Sequence, residues 1–338
     1  MKSADFIEDH VSKYFNIKSV HVEKKALYFI VWDYDRDKFV KLVDDLDKIG
    51  YLPFIDEFQG DYKINIVNKP EHRESKIHIN VILFLATILS TVFAGYLWGG
   101  GNIIDGIAFS IAIIAIIGTH ETAHFLASKK HGVKATLPYF IPAPIGIGTF
   151  GAVINVKSAI PDKNALFDLG VSGPIAGFIV AIPVLIIGLY YSTIIPMNGQ
   201  SALLFYSSPL QSILEYFMIS IPAGYYIKLN PLILAGWVGI IVTMLNLMPI
   251  AVLDGGHISR SFFNAKIHQY ISIVGVIIMA ILGWYFMAII LAGFIIFMSR
   301  GHPGALDNVT KLDRNRKIIA IAMIIIFILC LTPSPKLV

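Results

Sequence analysis

The chain has a single cysteine, Cys330. A lone thiol excludes an intrachain disulfide and any metal site built from several cysteines. Charge is also scarce: charged residues make up 15% of the 338 positions and hydrophobic residues 56%. Soluble globular chains run near a quarter charged, so the shortage points to a membrane. The formal net charge of +4 comes from basic residues interspersed with acids. No basic stripe is present, so nothing suggests nucleic acid as a partner. The opening residues, Met1 to His10, lack the basic and apolar regions of a secretory signal. An internal repeat of the kind secondary transporters carry is missing too.

What charge there is lies unevenly, with most of the acidic residues before Lys76. Residues 1–75 read as a small soluble α+β domain. Val20 to Trp32 is β-rich, and Phe39, Leu42, Val43, Leu46 and Ile49 recur at helical spacing before Gly50. Tyr51–Phe58 and Tyr62–Val67 read as strands around Gly60-Asp61, and a helix near Asp5–Phe15 precedes them. No motif there carries chemistry, so a regulatory or substrate-docking role is expected.

Residues 76–338 are apolar runs broken by short polar connections. A bilayer core needs about 20 residues of helix. Spans are expected over 77–98, 106–128, 165–192, 231–253, 270–283, 285–299 and 317–333, the fifth and sixth short enough to form a hairpin that does not fully cross. The fold expected is a multi-pass α-helical membrane protein of about six to seven transmembrane helices. Threading it with the N-terminus inside leaves only Lys228 and Lys336 outside, as the positive-inside rule demands. That places the protein in a cell membrane with its N-terminal domain toward the cytoplasm.

His120-Glu121-Thr122-Ala123-His124 ends the apolar run Ile107–Gly118. On a helix, positions i and i+4 share a face, so two imidazoles can grip one tetrahedral metal. Glu121 lies about 100° round the helix, within reach of a metal's solvent position, as a general base. Histidines and a glutamate inside an apolar segment are costly and point to function. A third ligand is needed. His131 is too close and sits in a basic loop, Asp162 and Asp168 lie at an interface, and Asp254 ends a long apolar run where an acid needs a partner. Gly255-Gly256 is expected to break the helix just after it. Asn246 is a buried amide that binds substrate backbone, an oxyanion or a neighbouring helix. The His/His/carboxylate set favours zinc, one ion per chain.

With HETAH at 120–124 and NLMPIAVLDGG at 246–256, the chain resembles the site-2 protease family of intramembrane zinc metalloproteases. The segments at 147–162, 165–176, 230–239 and 302–316 resemble the branch that holds its chloroplast members. The resemblance implies zinc on His120, His124 and Asp254, Glu121 as base, Asn246 on the scissile peptide, and a membrane-protein substrate with a transmembrane helix. His257 ranks below Asp254 because the family pattern stops at the aspartate. Gly177 stands where many relatives carry asparagine. A transporter or channel for metal ions or protons is the rival reading of the same polar cluster, and a catalytically inert membrane chaperone is a second.

Leu137–Val156 holds Pro138, Pro142, Pro144, Gly146, Gly148 and Gly151, so it cannot be a continuous helix. It reads as a re-entrant β-hairpin whose edge pairs with an unwound substrate strand. Ser192–Leu229 reads as an amphipathic stretch along the outer interface, and Gly99-Gly100-Gly101 as a tight turn. Replacing Gly148 or Thr149 with proline is expected to abolish peptide cleavage while metal content, read by atomic absorption, stays at the wild-type level.

Overall fold

The computed structural model describes residues 4–23, 26–70, 76–196, 203–250, 253–297 and 304–337. The N-terminal part builds α1 (Ala4–Ser12), β1 (Ile17–Glu23), β2 (Ala26–Val31), α2 (Arg36–Lys48), β3 (Tyr51–Phe58) and β4 (Asp61–Asn68). The β-rich run expected at 20–32 is thus two strands, β1 beginning earlier than its apolar alternation suggests. The four strands form one antiparallel sheet in the order β1-β2-β4-β3. Asp35 caps α2 by accepting from the Lys38 amide, and Phe39, Leu42 and Leu46 face the sheet with Phe29, Ile55 and Ile64.

This core is not closed by the N-terminal residues alone. Leu306, from far down the chain, is buried in it, with Ala159 and Val309 packed alongside. The Ile55 amide donates to the Leu306 carbonyl at 2.8 Å, and the Asn308 amide donates to the Ile55 carbonyl at 3.1 Å. The Leu306 and Asp307 amides in turn donate to the carbonyls of Ile160 and Pro161. One short segment therefore extends the edge of β3 and ties it to the membrane part. The Tyr34 hydroxyl donates to Asp307 at 2.6 Å, and Arg36 pairs with Asp162 at 2.9 Å.

Three helices are long and apolar enough to cross a membrane: α3 (Ile77–Trp98), α4 (Ile103–Lys130) and α5 (Lys163–Tyr190). Between α4 and α5 stands a hairpin, β5 (Tyr139–Pro142) against β6 (Thr149–Val153). After α5 come β7 (Thr193–Pro196), β8 (Leu203–Leu204), α6 (Pro209–Met218) and β9 (Tyr225–Lys228); β7 pairs with β9. The segment expected to be amphipathic thus contains a ribbon and one short helix. Shorter apolar helices follow: α7 (Pro231–Leu247), α9 (Ala265–Ile281), α10 (Tyr285–Phe297) and α11 (Arg314–Cys330), with α8 (Asp254–Phe262) between α7 and α9. β10 (Lys336–Leu337) closes the chain against β8. The turn at 99–101 is present, Gly100 and Gly101 both adopting positive φ.

Two expectations change. The span expected over 231–253 stops at Leu247, because Pro249 cannot donate the next helical hydrogen bond. Gly255-Gly256 does not end a helix but lies in the first turn of α8. The glycine there serves proximity: a Cβ on Gly255 would sit 2.3 Å from the Leu247 carbonyl oxygen. Residues 251–252, and the 302–303 end of one segment in the resemblance, lie outside the described residues, as does Arg300 of the charge pattern.

Helix contacts rest on the same device. A Cβ on Gly106 of α4 would meet the Val92 carbonyl oxygen of α3 at 2.6 Å, whereas Gly293 of α10 has nothing within 4 Å. Gly106→Ala is therefore expected to lower the thermal midpoint of the purified protein, at a cost of about 1–3 kcal/mol. Gly293→Ala should leave the midpoint unchanged or raise it slightly.

Candidate metal centre

Asn102 starts α4 by accepting from the Ile104 amide at 2.9 Å, and the helix then runs unbroken to Lys130. Its final turns bring His120 and His124 onto one face, where their Nε2 atoms lie 3.0 Å apart. Asp254, the first residue of α8, completes the group. Its Oδ2 lies 3.2 Å from each of the two Nε2 atoms. The histidines are almost fully buried, at 4% and 7% exposure. Three donors around one point supply three of the four positions that a tetrahedral ion requires. Zinc ligands at about 2.0–2.1 Å stand about 3.3 Å from each other, close to the spacings here. Among the described residues this is the one His/Cys/Asp/Glu group that could hold a metal ion.

The residues around the donors fit the same purpose. His124 Nδ1 lies 2.8 Å from the Leu169 carbonyl oxygen of α5. A carbonyl only accepts, so the proton sits on Nδ1 and leaves a lone pair on Nε2 for a metal. The Ser172 hydroxyl donates to the same carbonyl and lies 3.3 Å from Nδ1. On α5, Gly173 stands directly against the imidazoles: a Cβ there would fall 2.1 Å from His124 Nε2 and 2.7 Å from His120 Nε2. Gly177, one turn on, leaves 3.3 Å to His120 Nδ1, and Gly170, one turn before, lets the α8 backbone approach the same face. The three glycines recur at i, i+3 and i+7, one helical face.

Glu121 points at the same centre. Its Oε1 is 3.9 Å from His120 Nε2, and its Oε2 accepts from the Ile154 amide at 2.9 Å. Ile154 directly follows β6, so the hairpin holds the glutamate. The hairpin is itself tied along α3. Asn80 donates to the carbonyls of Leu137 and Pro138, Ser90 to that of Gly148 at 2.6 Å, and Trp98 to that of Gly146. Asn80 to Trp98 is about 27 Å of helix at 1.5 Å per residue, so the hairpin follows nearly the whole length of α3. Gly148, at φ 78°, presses so closely on α3 that a Cβ would meet the Ser90 oxygen at 2.4 Å.

Of the other residues weighed as ligands, none joins the donors. His131 and Asp168 pair with each other at 2.8 Å, and Arg316 grips Asp168 through two nitrogens. Asp162 caps α5 by accepting from the Ala165 amide. His257 lies on α8 outside the three-atom group. Asn246, in the last turn of α7, is half-buried, and its side chain makes no hydrogen bond among the described residues.

The profile of peptidase family M50 matches residues 108–290, which include all three donors and Glu121. The chain belongs to peptidase family M50. Similar proteins include the probable zinc metalloprotease EGY2, chloroplastic, of Oryza sativa subsp. indica. That protein is 29% identical over 239 residues, covering 68% of this chain and 43% of the relative. The probable zinc metalloprotease EGY1, chloroplastic, of Arabidopsis thaliana is 29% identical over 230 residues, 65% of this chain and 42% of its own. The rice (japonica) protein of the EGY1 name reaches 35% over 160 residues, 45% of this chain and 27% of its own. The chain thus matches less than half the length of these relatives. No solved structure matches it.

Sequence reasoning named the three side chains that this M50 chain brings together, but not their frame of Leu169, Ser172, Gly173 and Ile154. The glycine spacing on α5 was the available signal. Gly173→Ala is expected to cut bound zinc at least about tenfold, read by atomic absorption on folded, monodisperse protein, because outer-frame changes alone cost 10–100-fold in affinity. Gly177→Ala, whose methyl group would press on His120 Nδ1 at 3.3 Å and displace the ring by only a few tenths of an ångström, should lose less of the metal than Gly173→Ala.

Proposed function

We propose that the chain is a zinc-dependent intramembrane endopeptidase that hydrolyses peptide bonds in or near transmembrane helices of membrane-protein substrates. The observation that carries this reading is the convergence of His120, His124 and Asp254 with Glu121 beside them, inside an apolar helical bundle. M50 membership, and relatives whose names say zinc metalloprotease, support it. They also weigh against an ion or proton pathway built from the same side chains.

His120 Nε2, His124 Nε2 and one Asp254 oxygen would hold the zinc. When bound, the ion supplies Lewis acidity toward water and toward a peptide carbonyl. Glu121 takes the proton released as water attacks the scissile carbonyl carbon. It then delivers that proton to the amide nitrogen as the C–N bond breaks, so one water is consumed per bond. The Ile154 amide keeps one carboxylate oxygen occupied and leaves the other facing His120 Nε2, where it would act beside a bound ion. The half-buried Asn246 amide, free of protein partners among the described residues, is suited to the carbonyl oxygen or the substrate backbone.

A helical substrate must unwind before its carbonyls are accessible, and unwound backbone needs new partners in an apolar setting. The hairpin offers an edge for that strand beside Glu121. Its length along α3 supports the re-entrant reading. Glu121 and the histidines sit in the half of α4 that ends at Lys129 and Lys130. The N-terminal domain contacts Asp162, at the start of α5. Both features favour a centre on the same side as the N-terminal domain, and the basic residues favour the cytoplasmic side.

The decisive comparison is purified wild type beside Glu121→Gln on a generic single-span substrate, with zinc measured in both. Cleavage by the wild type alone, with about one zinc in each, is the expected result. Cleavage by the variant at the wild-type rate would remove Glu121 from the mechanism. A zinc-free, inactive wild type would remove the protease reading.

A further inference from the structure

α8 carries Asp254 at its first residue and Arg260 in its last turn. A nine-residue helix is short and stiff, so whatever fixes the arginine fixes where the aspartate points. Arg260 is 3% exposed, and a guanidinium buried that deeply requires partners. Its Nη1 donates to the Phe263 carbonyl at 3.0 Å. Its Nη2 lies 3.9 Å from Asp56 Oδ1, a carboxylate on β3 of the N-terminal domain. Gly304, at φ 77°, covers the group so tightly that a Cβ would fall 2.6 Å from Nη2. The covering segment is continuous with Leu306–Asn308, the segment on which β3 docks.

The second helix framing the centre is tied to the same place. Asp162, the cap of α5, accepts from Arg36 of α2 at 2.9 Å, and Ile160 and Pro161 accept from the amides of Leu306 and Asp307. α5 supplies Gly173 and the Leu169 carbonyl to the histidines. The N-terminal domain thus grips both α8, which brings the carboxylate, and α5, which orients the imidazoles. The grip runs through polar contacts and the buried Leu306, with Ala159 and Val309 packed beside it; interfaces of this kind open at a lower cost than the packed core of a domain.

We propose that the N-terminal domain is a positioning unit for the metal centre, with Arg260 and Asp56 as positioning residues. Docked, it holds Asp254 against His120 and His124; released, it lets the carboxylate drift and the metal leave. This rests on the reading of Asp254 as a metal ligand. A domain without chemistry of its own then acquires a role: a protein that pulls on it alters metal retention at a distance.

The coupling must be reciprocal, so the metal must also tighten the docking. The test uses the full-length protein with zinc, loaded or stripped by a chelator. Hydrogen exchange is followed at Ile55, Leu306, Asp307 and Asn308, whose amides sit at the docking strand. Zinc is expected to slow exchange there about fivefold or more in the wild type, the lower end of ordinary coupling. Zinc release to excess chelator should quicken about tenfold in Asp56→Asn and in Leu306→Asp. It should stay at the wild-type rate in Lys18→Ala, which breaks an exposed ion pair with Asp61 elsewhere on the same domain. Interface amides indifferent to zinc, with unchanged release from Asp56→Asn, would overturn the inference and leave the metal reading standing. A wild type that takes up no zinc would overturn both. The wild-type exchange experiment needs no substitution, so a variant that fails to fold does not spare the proposal.

Discussion

The backbone of α5 passes against two imidazole nitrogens of α4 at Gly173, and the rest of the centre depends on that contact. Two histidines, a glutamate and an aspartate are costly guests in an apolar bundle, where an unpaired charge loses its hydration without recompense. They are tolerable only where each faces a partner. Removing one Cβ lets α5 close over the histidines, so that a carbonyl of α5 accepts the Nδ1 proton of His124 and both Nε2 atoms turn toward Asp254. Gly170, on the same face, does this for α8.

The hairpin answers a different constraint. Irregular backbone beside apolar helices must find partners for its amides and carbonyls. Here Asn80, Ser90 and Trp98 of α3 supply donors along one side, and Glu121 accepts from Ile154 at the other. Glutamate and hairpin therefore hold each other. The same hydrogen bond that satisfies the end of β6 sets the direction of the Glu121 carboxylate.

The match to family M50 covers 108–290, so the hairpin and all four chemical side chains lie within it. The N-terminal sheet and the 304–310 segment that completes its core lie outside. The N-terminal domain meets the shared part at the start of α5 and the last turn of α8 and not at the donors themselves. A small domain attached at those points can act on the centre without contributing an atom to it.

Much of this protein is legible in its sequence. The apolar runs mark α3, α4 and α5, and the alternation and turn residues mark β3, β4 and α2, because periodicity is a property of neighbours along the chain. His120 and His124 could be paired for the same reason: four residues on a helix is one turn, whatever surrounds it. Pro249 ended α7 on local grounds as well, although the span drawn through it to 253 did not allow for that. Two glycines after Asp254 suggested a break where α8 begins, because glycine marks both chain reversal and close approach, and only the neighbouring Leu247 carbonyl separates these meanings. Tertiary structure decided the rest. Asp254 meets His124, 130 positions earlier in the chain, Leu306 enters a core built from residues 7–66, and Gly173 faces imidazoles and not lipid. Local pattern states which face of a helix is apolar, but which faces meet is set by packing the whole bundle at once, and at that level the metal centre comes together.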